Sequence, residues 1–224
     1  MIRLSKRLES IASYITDGMN LVDVGCDHAL LDIFLVQTKK NIKVIASDIN
    51  QNALDIAINN IKKNHLENKI KTCLSKGLEN IDTTSLDTII ISGMGSHTMV
   101  GILYNNISKL KNIDTLILQS NNDIDFLREK VTKLGYYIKE EKLIKDSNII
   151  YTIILFKKGH KRYTKKELYF GPILLKNKEK IFIEKYKEEL KKLESFYPLI
   201  PKNRLHHRII TKWKINNIKR LLLK

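Results

Sequence analysis

Leu-Val-Asp-Val-Gly-Cys-Asp-His-Ala-Leu-Leu-Asp at residues 21–32, followed by Val-Ile-Ala-Ser-Asp-Ile-Asn at 44–50, decides how this chain is read. An apolar run ends at Gly25, where the backbone must turn sharply. A helix-like segment follows, and a second apolar run ends in Asp48. This is a strand–turn–helix–strand unit with an acid at the second strand end, roughly 20 residues past the glycine turn. A carboxylate there can accept both hydroxyls of a ribose. A pyrophosphate cradle needs several glycines to close backbone N–H groups on the ligand. Here Gly25 is followed by Cys26, Asp27 and His28, and Asp27 would repel a phosphate. The loop suits a nucleoside without phosphates and with a positive centre. S-adenosylmethionine (SAM), with its sulfonium and α-amino group, meets that description, although the same turn also occurs in ordinary α/β cores.

Around this unit, strand-like runs recur at 21–25, 42–48, 69–74, 86–92 and 113–119. They are separated by helical patterns at 27–38, 50–63, 96–110 and 123–134. Such alternation predicts a parallel sheet with helices on both faces. Leu4, Leu8, Ile11, Ala12 and Ile15 fall on one face of a helix within 3–16, closed by Gly18. Runs at 136–145 and 148–157, split by Asp146-Ser147-Asn148, predict an antiparallel hairpin ending the sheet. Beyond Gly159 the pattern changes, and Gly171-Pro172 breaks the chain. Two amphipathic stretches follow. The first, 174–196, carries Leu174, Lys178, Ile181, Lys185, Leu190 and Leu193. The second, 203–223, carries Leu205, Ile209, Trp213, Ile218, Leu221 and Leu222. Pro198 and Pro201 lie between them, which predicts an antiparallel helical hairpin.

The 224 residues can hold one large α/β domain and a small appendage, and 43% hydrophobic content suffices for a core. No window resembles a signal peptide or an 18-residue apolar span, so a soluble cytoplasmic protein without membrane contact is expected. Cys26 and Cys73 form no metal-spaced cluster and read as reduced thiols. The net charge is +16, and its placement is the informative part. Residues 157–224 hold 21 Lys and Arg against 6 Asp and Glu, an excess of 15; residues 1–156 hold 19 against 18, an excess of 1. A compositional bias toward Lys would have raised it everywhere. The basic last third therefore reads as the footprint of a polyanion, with a solvated charged face as the alternative.

A fourth run, Leu86-Asp87-Thr88-Ile89-Ile90-Ile91, ends in Ser92-Gly93-Met94-Gly95-Ser96, and a fifth ends Leu116-Ile117-Leu118-Gln119-Ser120-Asn121. In an open α/β sheet ligands sit beyond the carboxyl ends of the strands. Two glycines there let a flat group approach the backbone, or simply make a tight turn. The D/N-P-P-Y/F motif of many amino-group methyltransferases is missing from this position.

With these segments in view, the chain resembles the bacterial tRNA adenine-22 N1-methyltransferase family, a class I SAM-dependent group. The matching stretches are Leu4-Ser5-Lys6-Arg7-Leu8, Val22-Asp23-Val24-Gly25-Cys26-Asp27-His28-Ala29, Gly93-Met94-Gly95, Leu116 to Asn121, Arg128-Glu129 and Leu134-Gly135-Tyr136. Four departures stand out: Cys26 for a serine, Leu30 for an aromatic, Asp32 for a proline, and Ser120 for the proline of an L-Q-P-N segment. None removes a charged group.

The resemblance implies a Rossmann-like, seven-stranded SAM-dependent methyltransferase domain over 1–158, and a C-terminal α-helical hairpin over 159–224 that binds tRNA. It implies SAM as cofactor, tRNA as partner, and N1-methylation of adenine 22. A methyltransferase of another RNA or DNA would share the first domain. A non-catalytic RNA-binding protein would have lost the set Asp23, Gly25 and Asp48. Asp23, Gly25 and Asp48 are assigned to SAM, with Ile49 beside its adenine; Lys76, Gly77 and Gly93 border the cofactor. Asp27 is the expected catalytic group, stabilising the cationic product ring; its rival role is holding the SAM amino group. His28 pairs with Asp27 or contacts substrate, or else packs the helix start. Met94 and Gly95 make room for the target base, and Asn121 reaches its edge. Arg204, Arg208 and Lys212, spaced i, i+4, i+8, meet tRNA phosphates if Trp213 faces inward. No metal is expected. The oligomeric state is not set by the sequence, and a monomer is the default expectation.

Overall fold

A computed structural model describes residues 2–223. Strands β1 (Asn20–Val24), β2 (Lys43–Asp48), β3 (Ile70–Leu74), β4 (Thr88–Met94), β5 (Thr115–Ser120), β6 (Tyr136–Asp146) and β7 (Ile149–Lys158) form one sheet, ordered β3-β2-β1-β4-β5-β7-β6. The first five run parallel; β7 is antiparallel to both neighbours. The hairpin turns through Ser147 and Asn148, both with positive φ, as a tight turn between right-twisted strands requires.

Alternation along β1 divides the core. Leu21 faces one side with Ile33, Leu54 and Ile61, from helices α2 (Leu30–Thr38) and α3 (Gln51–Lys63), and with Ile11 of α1 (Lys6–Ala12). Val22 and Val24 face the other side, with Met99 and Leu103 of α4 (Ser96–Tyr104) and Leu127 and Val131 of α5 (Ile124–Lys133). Period-2 burial on both faces is what a parallel sheet covered by helices demands. The order reverses beside β1 and β4, so the crevice at their carboxyl ends is the switch point where α/β sheets bind ligands.

The sheet, its antiparallel end and the helical tail match the expectation. Several details differ. The segment read as helix 27–38 starts at Leu30, because Asp27 and Ala29 sit in the left-handed region and hold 26–29 as a turn. The 96–110 helix stops at Tyr104 and resumes as a 3-10 turn, Ile107–Leu110. Residues 174–196 are not one helix. Lys178, at φ 47°, separates α7 (Pro172–Asn177) from α8 (Lys180–Phe196). A short helix α6 (Lys165–Phe170), fastened by a Thr164–Glu167 capping box, precedes them. In α9 (Leu205–Leu222) the buried stripe is Thr211, Ile215, Ile218 and Leu221; Leu205 and Ile209, expected on that face, are each 67% exposed. The first turn of α9 thus projects past the stretch that packs on α8.

The helical segment is tied to the sheet by a buried ion pair. Arg128 of α5 donates from Nε to Glu141 Oε1 of β6 at 2.7 Å, and from Nη1 to the Leu168 and Tyr169 carbonyls. Glu141 Oε2 accepts from the Ile173 N–H. Gly171, at φ 91°, sits against this pair: a Cβ there would lie 2.7 Å from the Glu141 carboxylate and 2.8 Å from Arg128 Nη2. A glycine is required both by the backbone and by the space. Lys185 of α8 donates to Thr152 Oγ1, and burial holds its amine down at about 8.

Candidate active site

A cavity of about 680 Å³ opens at the carboxyl ends of β1, β2 and β4. Its walls are the turn after β1, the start of the loop after β2, residues 75–79 after β3, the end of β4, the outward side of α4, and Arg7 and Leu8 of α1. Gly25 makes the first turn possible. Its φ of 80° is a left-handed conformation that other residues rarely adopt, and a Cβ would stand 2.3 Å from Met94 Cε, so a side chain there would be strained and would also displace the Met94 tip. The Gly25 and Cys26 N–H groups both donate to the Ser47 carbonyl. They are therefore spent on joining β1 to β2 and not aimed at an anion, in keeping with a ligand that lacks phosphates.

Asp48 ends β2 half-buried. Its Oδ2 accepts from the Asp27 N–H at 3.1 Å and its Oδ1 from the Asn50 N–H at 2.9 Å. These bonds fix the carboxylate plane and leave a lone pair on each oxygen for a ligand. Ile49, 64% exposed, lies on the cavity wall. Lys76 and Gly77 line the side below α4, where a Cβ on Gly77 would meet Ile102 Cγ2 at 2.9 Å. Asp27 and His28 stand side by side at the mouth, Nε2 to Oδ1 3.4 Å.

Asp23 is buried on β1, and among the described residues its Oδ1 has no hydrogen-bond partner. Burial pushes its pKa up to about 7, with Asp48 adding to the rise and the Arg7 guanidinium opposing it. Asp32, fully buried behind it on α2, is raised well above the usual carboxylate range by burial and then by Asp23. Burial likewise pushes the Cys26 thiol up, which makes it an inert core group. An acid with an unpartnered oxygen at a cavity wall, with Asp48 and Asp27 nearby, is an acceptor set for a cationic nucleoside. SAM fits it: the Asp48 oxygens suit the ribose, and Asp23 suits the ammonium.

The turn after β4 is held from behind. Arg7 Nη1 donates to Gln119 Oε1 at 2.8 Å, and the same oxygen accepts from the Gly93 N–H at 3.1 Å. Gln119 Nε2 donates to Asn121 Oδ1, and Asn121 Nδ2 donates to the Gly93 carbonyl at 2.8 Å. The Asn121 amide thus props the Gly93 turn; the residue is exposed beside it and is not among those lining the cavity. Gly95, also expected beside the base, caps α4 beside Asn122 and lies outside the lining. Met94 and Gly93 do line it. Arg7, Ser92 and Gln119 join the site only through the tertiary fold. The Leu4–Leu8 segment shows the spacing of an apolar helix face, and nothing in it reveals that Arg7 crosses to β5.

Outside the cavity lining, Arg204 at the N-cap of α9 and Lys212 within that helix are exposed, and Trp213 packs edge-on against Tyr169 with ring centres 5.5 Å apart. Arg208 differs from them. Its Nη1 donates to the Ile200 carbonyl at 2.7 Å and its guanidinium lies 4.5 Å from the Tyr197 ring centre, so it closes the proline turn. Among the described residues no three His, Cys, Asp or Glu side chains gather as a metal site needs, and no helix is long and apolar enough to cross a membrane.

Residues 21–220 match the family model of the tRNA (adenine(22)-N(1))-methyltransferases. The tRNA (adenine(22)-N(1))-methyltransferase of Bacillus subtilis is 30% identical over 205 residues, 89% of this chain and 86% of that protein. The crystal structure of a Streptococcus pneumoniae putative tRNA (m1A22) methyltransferase with S-adenosyl-L-methionine superposes with a TM-score of 0.89 at 33% identity, covering 98% of this chain and all of that one. The M. capricolum TrmK structure, holding the cofactor product S-adenosyl-homocysteine, gives a TM-score of 0.86 at 31% identity, over 98% and 97% of the two chains. With a cavity walled by Gly25 and Asp48 at its switch point, and these matches along nearly its whole length, the chain belongs to the tRNA (adenine(22)-N(1))-methyltransferase family and is a SAM-dependent methyltransferase.

Proposed function

We propose that this chain methylates N1 of adenine 22 in tRNA, with Asp23 and Asp48 holding the cofactor and Asp27 facing the reacting ring. One observation carries the reading: the Gly25 turn, Asp48 and the Gly93-Met94 turn wall a single cavity. SAM supplies an electrophilic methyl group there. Adenine N1 has an in-plane lone pair, so it can attack without prior deprotonation. The N1–carbon bond forms as the sulfur–carbon bond breaks, and the ring becomes cationic. In this reading Asp27, exposed on the cavity lining beside His28, stabilises that charge and accepts from the exocyclic amine. Because N1 lies on the Watson–Crick edge, the base must leave its pair to enter. Incubation with labelled SAM and tRNA transcripts, followed by mapping of the modified position, tests the reading; label in another nucleotide, or none, overturns it.

Asp27→Asn keeps the shape and removes the charge. Turnover is expected to fall roughly 10²–10³-fold, equivalent to about 2.7–4 kcal/mol, with SAM affinity largely kept. Loss of SAM affinity with normal turnover at saturating SAM would move Asp27 to the cofactor.

Asp23 predicts the pH behaviour of cofactor binding. Its proton, retained to about pH 7 in the free protein, must leave for the carboxylate to meet an ammonium. The bound state therefore has the lower pKa, so affinity rises with pH up to about 7 and then levels. Calorimetry across pH 5.5–8.5 should show this rise, and Asp23→Asn should flatten it. An equally steep profile in the variant would place the titrating group elsewhere.

In this reading the helical segment 159–224 holds the tRNA body, which its basic excess and the exposure of Arg204 and Lys212 support. Truncation at Gly159 is a poor test, because it strips Arg128 and Glu141 of their partners at 168–173. The double change to Ala keeps the fold. If both contact phosphates, the slope of log affinity against log salt should flatten by about 1.5–2 units. An unchanged slope would leave the charge as a solvated face.

A further inference from the structure

The first turns of α4 and α5 carry a surface feature that the reaction site does not use. The imidazole of His97 lies on the ring of Phe126, centroids 4.2 Å apart and planes 25° from parallel. The His97 side chain is 71% exposed, while Phe126 is partly buried and packs against the core beneath. Asp123 Oδ2 stands 3.9 Å from His97 Nε2 and steadies the ring edge, and Lys130 Nζ lies 5.5 Å from the Phe126 ring centre. The backbone below is held as well. The Ser96 N–H donates to Asn122 Oδ1, and its hydroxyl donates to the Asn122 carbonyl. The result is a preorganised flat surface with one face covered by Phe126 and the remainder open.

Its position gives it a use. His97 is the second residue of α4, and its neighbour Thr98 already lines the cavity, as do Gly101 and Ile102 one turn on. The stack therefore rims the same carboxyl edge of the sheet at which the target base must arrive. Extruding an adenine leaves the adjoining base without a stacking partner, and proteins that read unpaired RNA replace that partner with His, Phe or Tyr faces. Lys130 beside the ring supplies a cation for the neighbouring phosphate, and the basic segment 157–224 of the same chain supplies the charge that attracts a nucleic acid.

We infer that the His97–Phe126 stack is a platform for an unpaired tRNA nucleobase next to the methylated adenine. The inference rests on the tRNA reading above, and its test does not depend on turnover. His97→Ala removes the platform surface, and His97→Phe keeps a flat ring. Affinity for a tRNA transcript, measured by filter binding, is expected to drop about 5- to 150-fold in His97→Ala. His97→Phe should stay within about threefold of the parent. SAM affinity and thermal midpoint should be unchanged in both, which excludes a merely structural effect. In transcripts carrying 2-aminopurine on either side of adenine 22, emission at one position should be quenched by the parent and not by His97→Ala. Equal tRNA affinity in the parent and His97→Ala overturns the inference. So does a His97→Phe as defective as His97→Ala, which would mean that a ring nitrogen makes the contact. A parent that binds tRNA and loses that binding in His97→Ala, yet leaves adenine 22 unmodified, would sink the proposed reaction and keep the platform.

Discussion

Asp48→Ala should abolish useful SAM binding. In the proposed complex its carboxylate accepts from the ribose diol, and each charge-assisted hydrogen bond is worth about 1.5–3 kcal/mol. Loss of two predicts a rise in Kd of at least roughly 10²-fold. The structure adds a second consequence. Asp48 also accepts from the backbone N–H groups of Asp27 and Asn50, so the alanine variant releases the loop that carries the Asp27 carboxylate. Turnover at saturating SAM should therefore fall too. Asp48→Asn keeps an acceptor for one of these N–H groups and should sit between the parent and the alanine variant in both measurements. Calorimetry on the three proteins, with thermal midpoints as the folding control, checks this. Parent-like affinity in a folded Asp48→Ala would remove Asp48 from the cofactor site.

Arg128→Ala is expected to cost about 3–5 kcal/mol of stability, because it strands Glu141 in the interior. Both side chains are at most 1% exposed, so solvent cannot substitute for the lost partner. At roughly 2–4 °C per kcal/mol for a chain of this size, the thermal midpoint should drop by about 6–20 °C. Removing both charges tests the cause. Arg128→Met combined with Glu141→Leu leaves no orphaned ion and should recover much of the loss, although the Leu168 and Tyr169 carbonyls and the Ile173 N–H remain without partners. A single variant with parent stability in denaturant unfolding would show that the pair is incidental to how the helical segment docks.

Lys185 moves stability in a different pH range. Its folded pKa, at about 8, lies below the ordinary lysine value, so the unfolded chain binds more protons between about pH 8 and 10.5. The sign of its contribution is therefore a stability that rises with pH through that window.

Sequence alone determined the sheet, because its information there is local. Period-2 apolar runs ending in Gly25 and Asp48 can only be buried strands that deliver a turn and an acid to one edge. Asp146-Ser147-Asn148 can only reverse the chain between the two runs it separates. The charge excess after residue 156 is likewise independent of geometry. Tertiary structure decided whatever depends on which distant groups meet. Arg7 reads as the polar side of a short helix until α1 packs across the sheet and sets it on Gln119, 112 positions away. Asn121 reads as a free amide at a strand end until Gly93 claims it. Arg208 is indistinguishable from Arg204 in spacing, and only the fold of the proline turn commits one and leaves the other exposed. Leu205 and Ile209 continue an apolar stripe that α8 is not positioned to cover. In each case side-chain type was legible, whereas hydrogen-bond partners and burial are properties of long-range packing that no local pattern encodes.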